Sequence, residues 1–193
     1  MPRGTCSIEI AASCEVVFDV VHDYARRLEW DSMLSEATLL DGATAAGVSV
    51  RSRCVGTWKG AFQPMETEYI RFERGRVAAV RLTHRPALFD HFAATIRHEP
   101  LGVARSRATY IFSFRARPRL LAPLLEPLMK HMIGREVRTR LRSLRAYVES
   151  GSAKRPAAPN TTTGAPPANS RRPSTTACGP APRRCRPRSR RRP

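Results

Sequence analysis

Hydrophobic and polar residues alternate along much of the first 150 residues, a pattern typical of β-strands with one buried face. The run TCSIEIA puts Cys6, Ile8 and Ile10 on one face and predicts a first strand. Ser13 can then cap a helix, and Glu15 lies in its first turn, where the helix dipole favours an acid. The chain is therefore predicted to open with a strand followed by a helix.

This helix has one apolar stripe at helical spacing, formed by Val17, Val20, Val21, Tyr24 and Leu28. The opposite side carries Glu15, Asp19, His22 and Arg26. Because His22 has charged neighbours there, we expect a surface ion pair at this position in preference to a catalytic dyad. Trp30 and Asp31 follow the end of the pattern, where a large side chain can cover the end of a core or the mouth of a cavity.

Residues 33–115 predict a meander of about six strands, separated by the turn signals DGATAAG, WKG, ERG, HRPALFD and EPLG. Alternation places the following residues together on inward faces: Ser52, Cys54, Gly56 and Trp58; Val80, Leu82 and His84; Phe92, Ala94, Ile96 and His98; Ala108, Tyr110, Phe112 and Phe114. The run FQPMETEYIRF fits neither phase, and its Pro64 indicates an edge or a bulge.

A long amphipathic helix is predicted from about residue 119 to residue 149, with Pro123 and Pro127 interrupting or kinking its first turns. Its apolar positions include Leu125, Leu128, Met132, Val137, Leu141, Leu144 and Val148.

The net charge of +18 is concentrated at the C-terminal end. Residues 151–193 hold 11 of the 34 basic residues, 9 of the 16 prolines and no acid, which predicts a disordered basic tail. The first 150 residues keep 23 basic and 16 acidic residues, a net charge of +7 that is ordinary for a solvated surface. We therefore expect no specific nucleic-acid partner, with the tail binding polyanions non-specifically at most.

The five cysteines have no C-x-x-C pair or repeated spacing, which argues against a disulfide framework or a zinc site and favours a reducing cytoplasm. Acidic residues interrupt the start too early for a signal peptide, and no stretch is apolar enough for a transmembrane segment. His91 and His98 are separated by an odd number of positions on one predicted strand, so they point to opposite faces. Neither a metal site nor a cofactor is expected.

The order of these elements is that of the helix-grip fold. Two segments carry a resemblance to a known family: IEIAASCEVVFDVVHDYARRLEWD near the start and PLMKHMIGREVRTRLRSLRAYVE near the end. The first resembles that family's strand, Ala-Ser turn, Val-Phe helix and Trp before the second strand, and the second resembles its final helix. Over about residues 5–150 the chain is similar to the START/SRPBCC superfamily and, within it, to the polyketide cyclase/dehydrase and lipid-transport family.

The resemblance implies an α+β fold in which a curved antiparallel sheet of about seven strands grips the long C-terminal helix around a largely apolar cavity. It implies one domain over residues 1–150 that binds a small hydrophobic ligand such as a lipid, isoprenoid or polyketide. The residues expected at the ligand are Trp30, Trp58, Tyr69, Leu82, Phe92, Phe112, Met129 and Met132. Core packing is an equally ordinary role for such side chains.

The alternative is an enzyme of the polyketide cyclase/dehydrase type, which needs polar groups in the cavity to polarise carbonyls and transfer protons. His84 and Tyr110, on otherwise apolar faces, are the candidate catalytic residues. A third hypothesis assigns the function to the basic tail at a nucleic acid or membrane surface, with binding that weakens strongly with salt. Ubiquinone-binding and toxin-like branches of the superfamily fit the same residues, and nothing in the sequence indicates an oligomeric state.

Overall fold

The computed structural model describes residues 1–57, 64–84 and 86–152. The strands are β1 (Arg3–Ile10), β2 (Leu34–Leu39), β3 (Arg51–Gly56), β4 (Met65–Glu73), β5 (Val77–Leu82), β6 (Phe89–Gly102) and β7 (Arg105–Ala116). The helices are α1 (Cys14–His22), α2 (Arg27–Trp30) and α3 (Ala122–Glu149), the last preceded by a 3-10 turn at Arg119–Leu121. Trp58 and residues 153–193 of the predicted tail lie outside the described residues.

The seven strands form one antiparallel sheet in the order β1-β7-β6-β5-β4-β3-β2. Strands β2 to β7 are a meander, each paired with the next along the chain, and β7 returns to pair with β1, with Gly4 opposite Phe112. The curved sheet and α3 confirm the predicted helix-grip fold.

The helix α1 begins as predicted, with the Ser13 hydroxyl accepting a hydrogen bond from the Val16 amide at 3.5 Å. It ends at His22, so the predicted continuation to Leu28 is wrong. The Asp23 backbone is extended and its carboxylate accepts from the Ala25 amide at 3.1 Å, a local turn that competes with further helix. Leu28 falls in the separate helix α2 and is 50% exposed.

The helix α3 packs its apolar stripe, which comprises Ile133, Val137, Leu141, Leu144 and Val148, into the core. Pro123 lies in the first turn, where a missing amide proton costs no helical hydrogen bond, and the helix is continuous through Pro127. Two bonds join α3 to the N-terminal strand region: the Cys6 thiol donates to the Gly134 carbonyl, and the Ala11 amide donates to the Glu149 carboxylate at 3.1 Å.

The strand β4 contains a register shift between Tyr69 and Arg71, where it pairs with β5. Such a bulge changes the phase of alternation within one strand, which explains why FQPMETEYIRF fitted neither phase. Tyr69 belongs to the buried core and Met65 packs against it, whereas Ile70 is 50% exposed.

None of the helices in the described part of the chain combines the length and the apolar character needed to cross a bilayer.

Candidate functional site

A cavity of about 180 Å³ lies between the sheet, α1 and α3. Its apolar lining comes from β2, β4, β5, β6, α1, α3 and the loop before β2, and comprises Val21, Met33, Leu34, Met65, Ala78, Val80, Phe89, Phe92, Ala94, Ile96, Ile133 and Val137. Its polar lining comprises His22, Tyr24, Arg27, Ser52, Cys54, Thr57, Thr67, Tyr69, Tyr110, Glu136 and Arg140. Inward-facing positions of the curved sheet thus converge with one face of α3.

Three of the polar side chains form a hydrogen-bonded row. The Tyr69 hydroxyl lies 3.1 Å from His22 Nδ1 and 3.0 Å from the Tyr24 hydroxyl. Burial is the main cause that raises the pKa of both tyrosines, so both keep their protons at neutral pH. Burial, with smaller effects of Arg27 and His98, lowers the pKa of His22 to about 3. The row is therefore neutral and can donate or accept hydrogen bonds without carrying charge.

The prediction that His22 forms a surface ion pair is wrong. Its ring packs against Phe18, with ring centroids 4.3 Å apart, and against Phe72 at 5.0 Å. His22 follows Phe18 by four residues and therefore shares its buried face of α1. Its predicted acidic neighbour Asp19 pairs instead with Arg74, at 2.6 Å.

A buried ion-pair cluster borders the same cavity. Asp31 is fully buried, and its Oδ2 accepts a hydrogen bond from Arg27 Nε at 3.1 Å and lies 2.9 Å from Arg140 Nε. The Arg27 guanidinium also lies 4.5 Å from the centre of the Trp30 ring. Burial, the largest single cause, opposes the charge of Arg140, but Asp31, Tyr110 and Cys54 together outweigh it and raise the pKa of Arg140, which stays cationic.

Tyr110 and Glu136 complete the polar lining near Arg140. Burial raises the pKa of Tyr110, and no described residue forms a hydrogen bond with its hydroxyl. Burial also raises the pKa of Glu136, an effect that the charge of Arg140 partly opposes. Burial raises the pKa of the Cys54 thiol, which therefore stays protonated and is a poor nucleophile.

Of the residues predicted at the ligand, Tyr69 and Phe92 line the cavity. Trp30 and Phe112 belong to the buried core, and Leu82 and Met129 pack against it. Met132 is half-buried on α3 and does not line the cavity.

The two predicted catalytic residues are not brought together in the cavity. Tyr110 lines it, as the alternation of β7 indicated. His84 lies in a bend after β5 ends at Leu82, is half-buried, and is absent from the lining. Its Nδ1 is buried without a partner among the described residues.

The polar residues that sequence reasoning missed include His22, Tyr24, Arg27, Glu136 and Arg140. Glu136 and Arg140 are four residues apart and flank Val137 of the apolar stripe, which places both at its edge. This spacing is a signal that could have identified them. Arg27 offers no comparable signal, since its position depends on the turn at Asp23.

Within the described ranges, no group of three or more His, Cys, Asp or Glu side chains is arranged to hold a metal ion. His91 is exposed and His98 is buried, so they point to opposite faces of β6 as their odd separation predicted.

The model of the family described as "Polyketide cyclase / dehydrase and lipid transport" matches residues 1–149, and the chain belongs to this family. No curated protein matches the sequence significantly.

Solved structures with the same fold include a START superfamily protein from Mycobacterium smegmatis, with 15% identity, a TM-score of 0.64, and coverage of 77% of this chain and 97% of that one. The ZhuI aromatase/cyclase from Streptomyces sp. R1128 shares 16% identity with a TM-score of 0.62, over 80% of this chain and 94% of that one. The di-domain aromatase/cyclase BexL of the BE-7585A biosynthetic pathway shares 15% identity and a TM-score of 0.64; 77% of this chain spans 47% of its length. The TM-scores establish a shared fold.

Proposed function

We propose that this chain binds a small hydrophobic molecule in the cavity between the sheet and α3. The observation that carries the proposal is a cavity of about 180 Å³ lined mainly by apolar side chains. Protein interiors are close-packed and rarely leave voids of this size. An apolar cavity of roughly 150 Å³ admits benzene, so the space suits a ligand of one or two small rings or a short chain.

The polar lining supports the same function. A ligand site is typically apolar with a few fixed polar groups that orient the ligand. Here Tyr69 holds its hydroxyl between His22 and Tyr24, and Arg140 is held by Asp31. The family description, which includes lipid transport, and the aromatase/cyclases of similar fold support a hydrophobic ligand.

The first test is native mass spectrometry of the full chain purified from cells, followed by denaturing identification of any released molecule. Saturation-transfer NMR with 2-naphthol provides a second, direct measure of binding. A hydrophobic passenger or a 2-naphthol signal supports the proposal. An empty protein that also gives no 2-naphthol signal contradicts it.

A matched pair of variants locates the binding site. Ala94 is 4% exposed and lines the cavity, whereas its neighbour Ala93 points to the other face of β6. Ala94→Phe fills the cavity and should abolish the 2-naphthol signal, and Ala93→Phe should retain it. Equal signals in the two folded variants would place binding elsewhere.

A second candidate function is polyketide cyclase or dehydrase activity, favoured by the Tyr110 hydroxyl, which lines the cavity without a hydrogen-bond partner among the described residues. A protonated phenol in this position can donate a hydrogen bond to a ligand carbonyl and so promote its enolisation. His84 stays a candidate for proton transfer, although it lies outside the lining. Loss of turnover of an aromatic polyketide analogue in Tyr110→Phe or His84→Ala, with binding retained, supports this function; unchanged turnover contradicts the assignment of that residue.

A further inference from the structure

The two guanidinium groups at Asp31 are paired to different extents. Arg27 donates from Nε to Asp31 Oδ2 at 3.1 Å, places a second nitrogen 3.0 Å from the same oxygen, and donates to the Val21 carbonyl. Its face also lies against the Trp30 ring. Each of the three nitrogens of Arg27 therefore has a partner.

Arg140 is only partly paired. Its Nε lies 2.9 Å from Asp31 Oδ2, and neither of its two terminal nitrogens forms a hydrogen bond within residues 1–57, 64–84 and 86–152. The side chain lines the cavity and keeps 22% of its surface accessible. One fork of this guanidinium is thus available to a ligand.

The neighbouring acid does not fill this role. Glu136 precedes Arg140 by one helical turn and also lines the cavity, yet in the described part of the chain it is not within ion-pair distance of Arg140. Asp31 is already shared between two cations. A buried cation beside apolar surface is costly unless an anion pairs with it.

We propose that the ligand of this cavity is a small hydrophobic carboxylic acid, whose carboxylate pairs with the terminal nitrogens of Arg140 while its body lies against the apolar lining. This inference rests on the proposed function and names its ligand class. Guanidinium and carboxylate groups match in a planar, two-bond geometry, which makes this pairing stronger than a single neutral hydrogen bond. Tyr110, which lines the same cavity, donates a hydrogen bond from its phenolic hydroxyl to the same carboxylate.

The test compares trans-cinnamate with cinnamamide, which has the same shape without the charge, by isothermal titration calorimetry on the full chain. The wild type should bind cinnamate about tenfold or more tightly than cinnamamide. Arg140→Gln should remove this preference by weakening the binding of cinnamate and leaving the affinity for cinnamamide unchanged. Arg142→Gln makes the same charge change at an exposed position of α3 and should keep the preference.

Two outcomes separate this inference from the proposed function. If 2-naphthol binds but the wild type does not prefer cinnamate, the assignment of a carboxylate is wrong and the hydrophobic site stands. If 2-naphthol, cinnamate and cinnamamide all fail to bind, the proposed function fails as well. If thermal unfolding shows Arg140→Gln to be misfolded, the wild-type comparison of cinnamate with cinnamamide still tests the inference. A folded Arg140→Gln that still prefers cinnamate also overturns it.

Discussion

The Tyr69 hydroxyl is the shared partner of His22 Nδ1, at 3.1 Å, and of the Tyr24 hydroxyl, at 3.0 Å. Tyr69 is 3% exposed and lies on β4, whereas its two partners lie on and just after α1. One buried hydroxyl thus ties the first helix to the middle of the sheet.

Tyr69→Phe should lower the free energy of unfolding by about 1–3 kcal/mol, because it leaves two part-buried polar groups without their partner. Tyr147→Phe is the matched control, since its hydroxyl also has two side-chain partners, Arg26 and Glu29, but the bond to Glu29 is exposed, so water can replace it. Urea unfolding at pH 7 measures both variants. An equal loss in the two would contradict a special contribution from the buried row.

Stability should fall as the pH is lowered from 7 toward 4. Burial lowers the pKa of His22 to about 3 and that of His98 to about 4, whereas an unfolded histidine titrates near 6.5. Below pH 6.5 the unfolded state therefore binds more protons than the folded state, and protonation favours unfolding. Linkage allows a loss of at most about 2 kcal/mol per histidine between pH 7 and pH 5.

Two variants assign this pH dependence. His98→Leu replaces a buried ring that has no hydrogen-bond partner at either nitrogen among the described residues, so the variant should lose less stability than the wild type between pH 7 and pH 5. His91→Gln removes an exposed histidine of the same strand and should keep the wild-type loss. Urea unfolding at both pH values is the measurement, and identical pH losses in all three proteins would refute the assignment to His98.

Sequence periodicity predicted the fold because it reports local structure. Alternation identified β1, the six-stranded meander and the inward position of Tyr110, and helical spacing identified α3. Periodicity gave wrong predictions where a turn or the end of a strand interrupts the pattern. The turn at Asp23 ends α1 earlier than predicted. The alternation of β5 was extended to His84, but the strand ends at Leu82, so His84 lies outside it.

The site was less predictable because its polar groups meet only through tertiary contacts. Asp31 pairs with Arg140 on α3, far along the chain, and no local pattern encodes that pairing. His22 is a partial exception, since its spacing from Phe18 was a usable signal. Alternation predicted Phe112 on an inward face, and it lies in the buried core, because apolar patterning cannot distinguish a core position from a cavity position.

Gly4→Ala should destabilise the fold by about 1–3 kcal/mol through overpacking. A Cβ atom at Gly4 would lie 2.2 Å from the ring of Phe112, which is 1% exposed and cannot move aside freely. Gly102→Ala, at a strand end with open space around the added atom, should change stability little. Thermal unfolding compares the two, and Gly4→Ala combined with Phe112→Leu should recover part of the loss if the ring clash is its cause.

Asp31→Ala should cost about 3–5 kcal/mol, because it leaves two largely buried guanidinium groups without their shared carboxylate. The side chains of Arg27 and Arg140 are 11% and 22% exposed, so water compensates little for the lost charge. Asp41 provides the contrasting case: it pairs with Arg51 at 2.6 Å, but the side chains are 59% and 45% exposed, and Asp41→Asn should cost at most about 1 kcal/mol. Urea unfolding at pH 7 measures both. If Asp31→Ala lowers the free energy of unfolding no more than Asp41→Asn does, the two guanidinium groups find other partners. Asp31 would then not be the residue that holds Arg140 at the cavity.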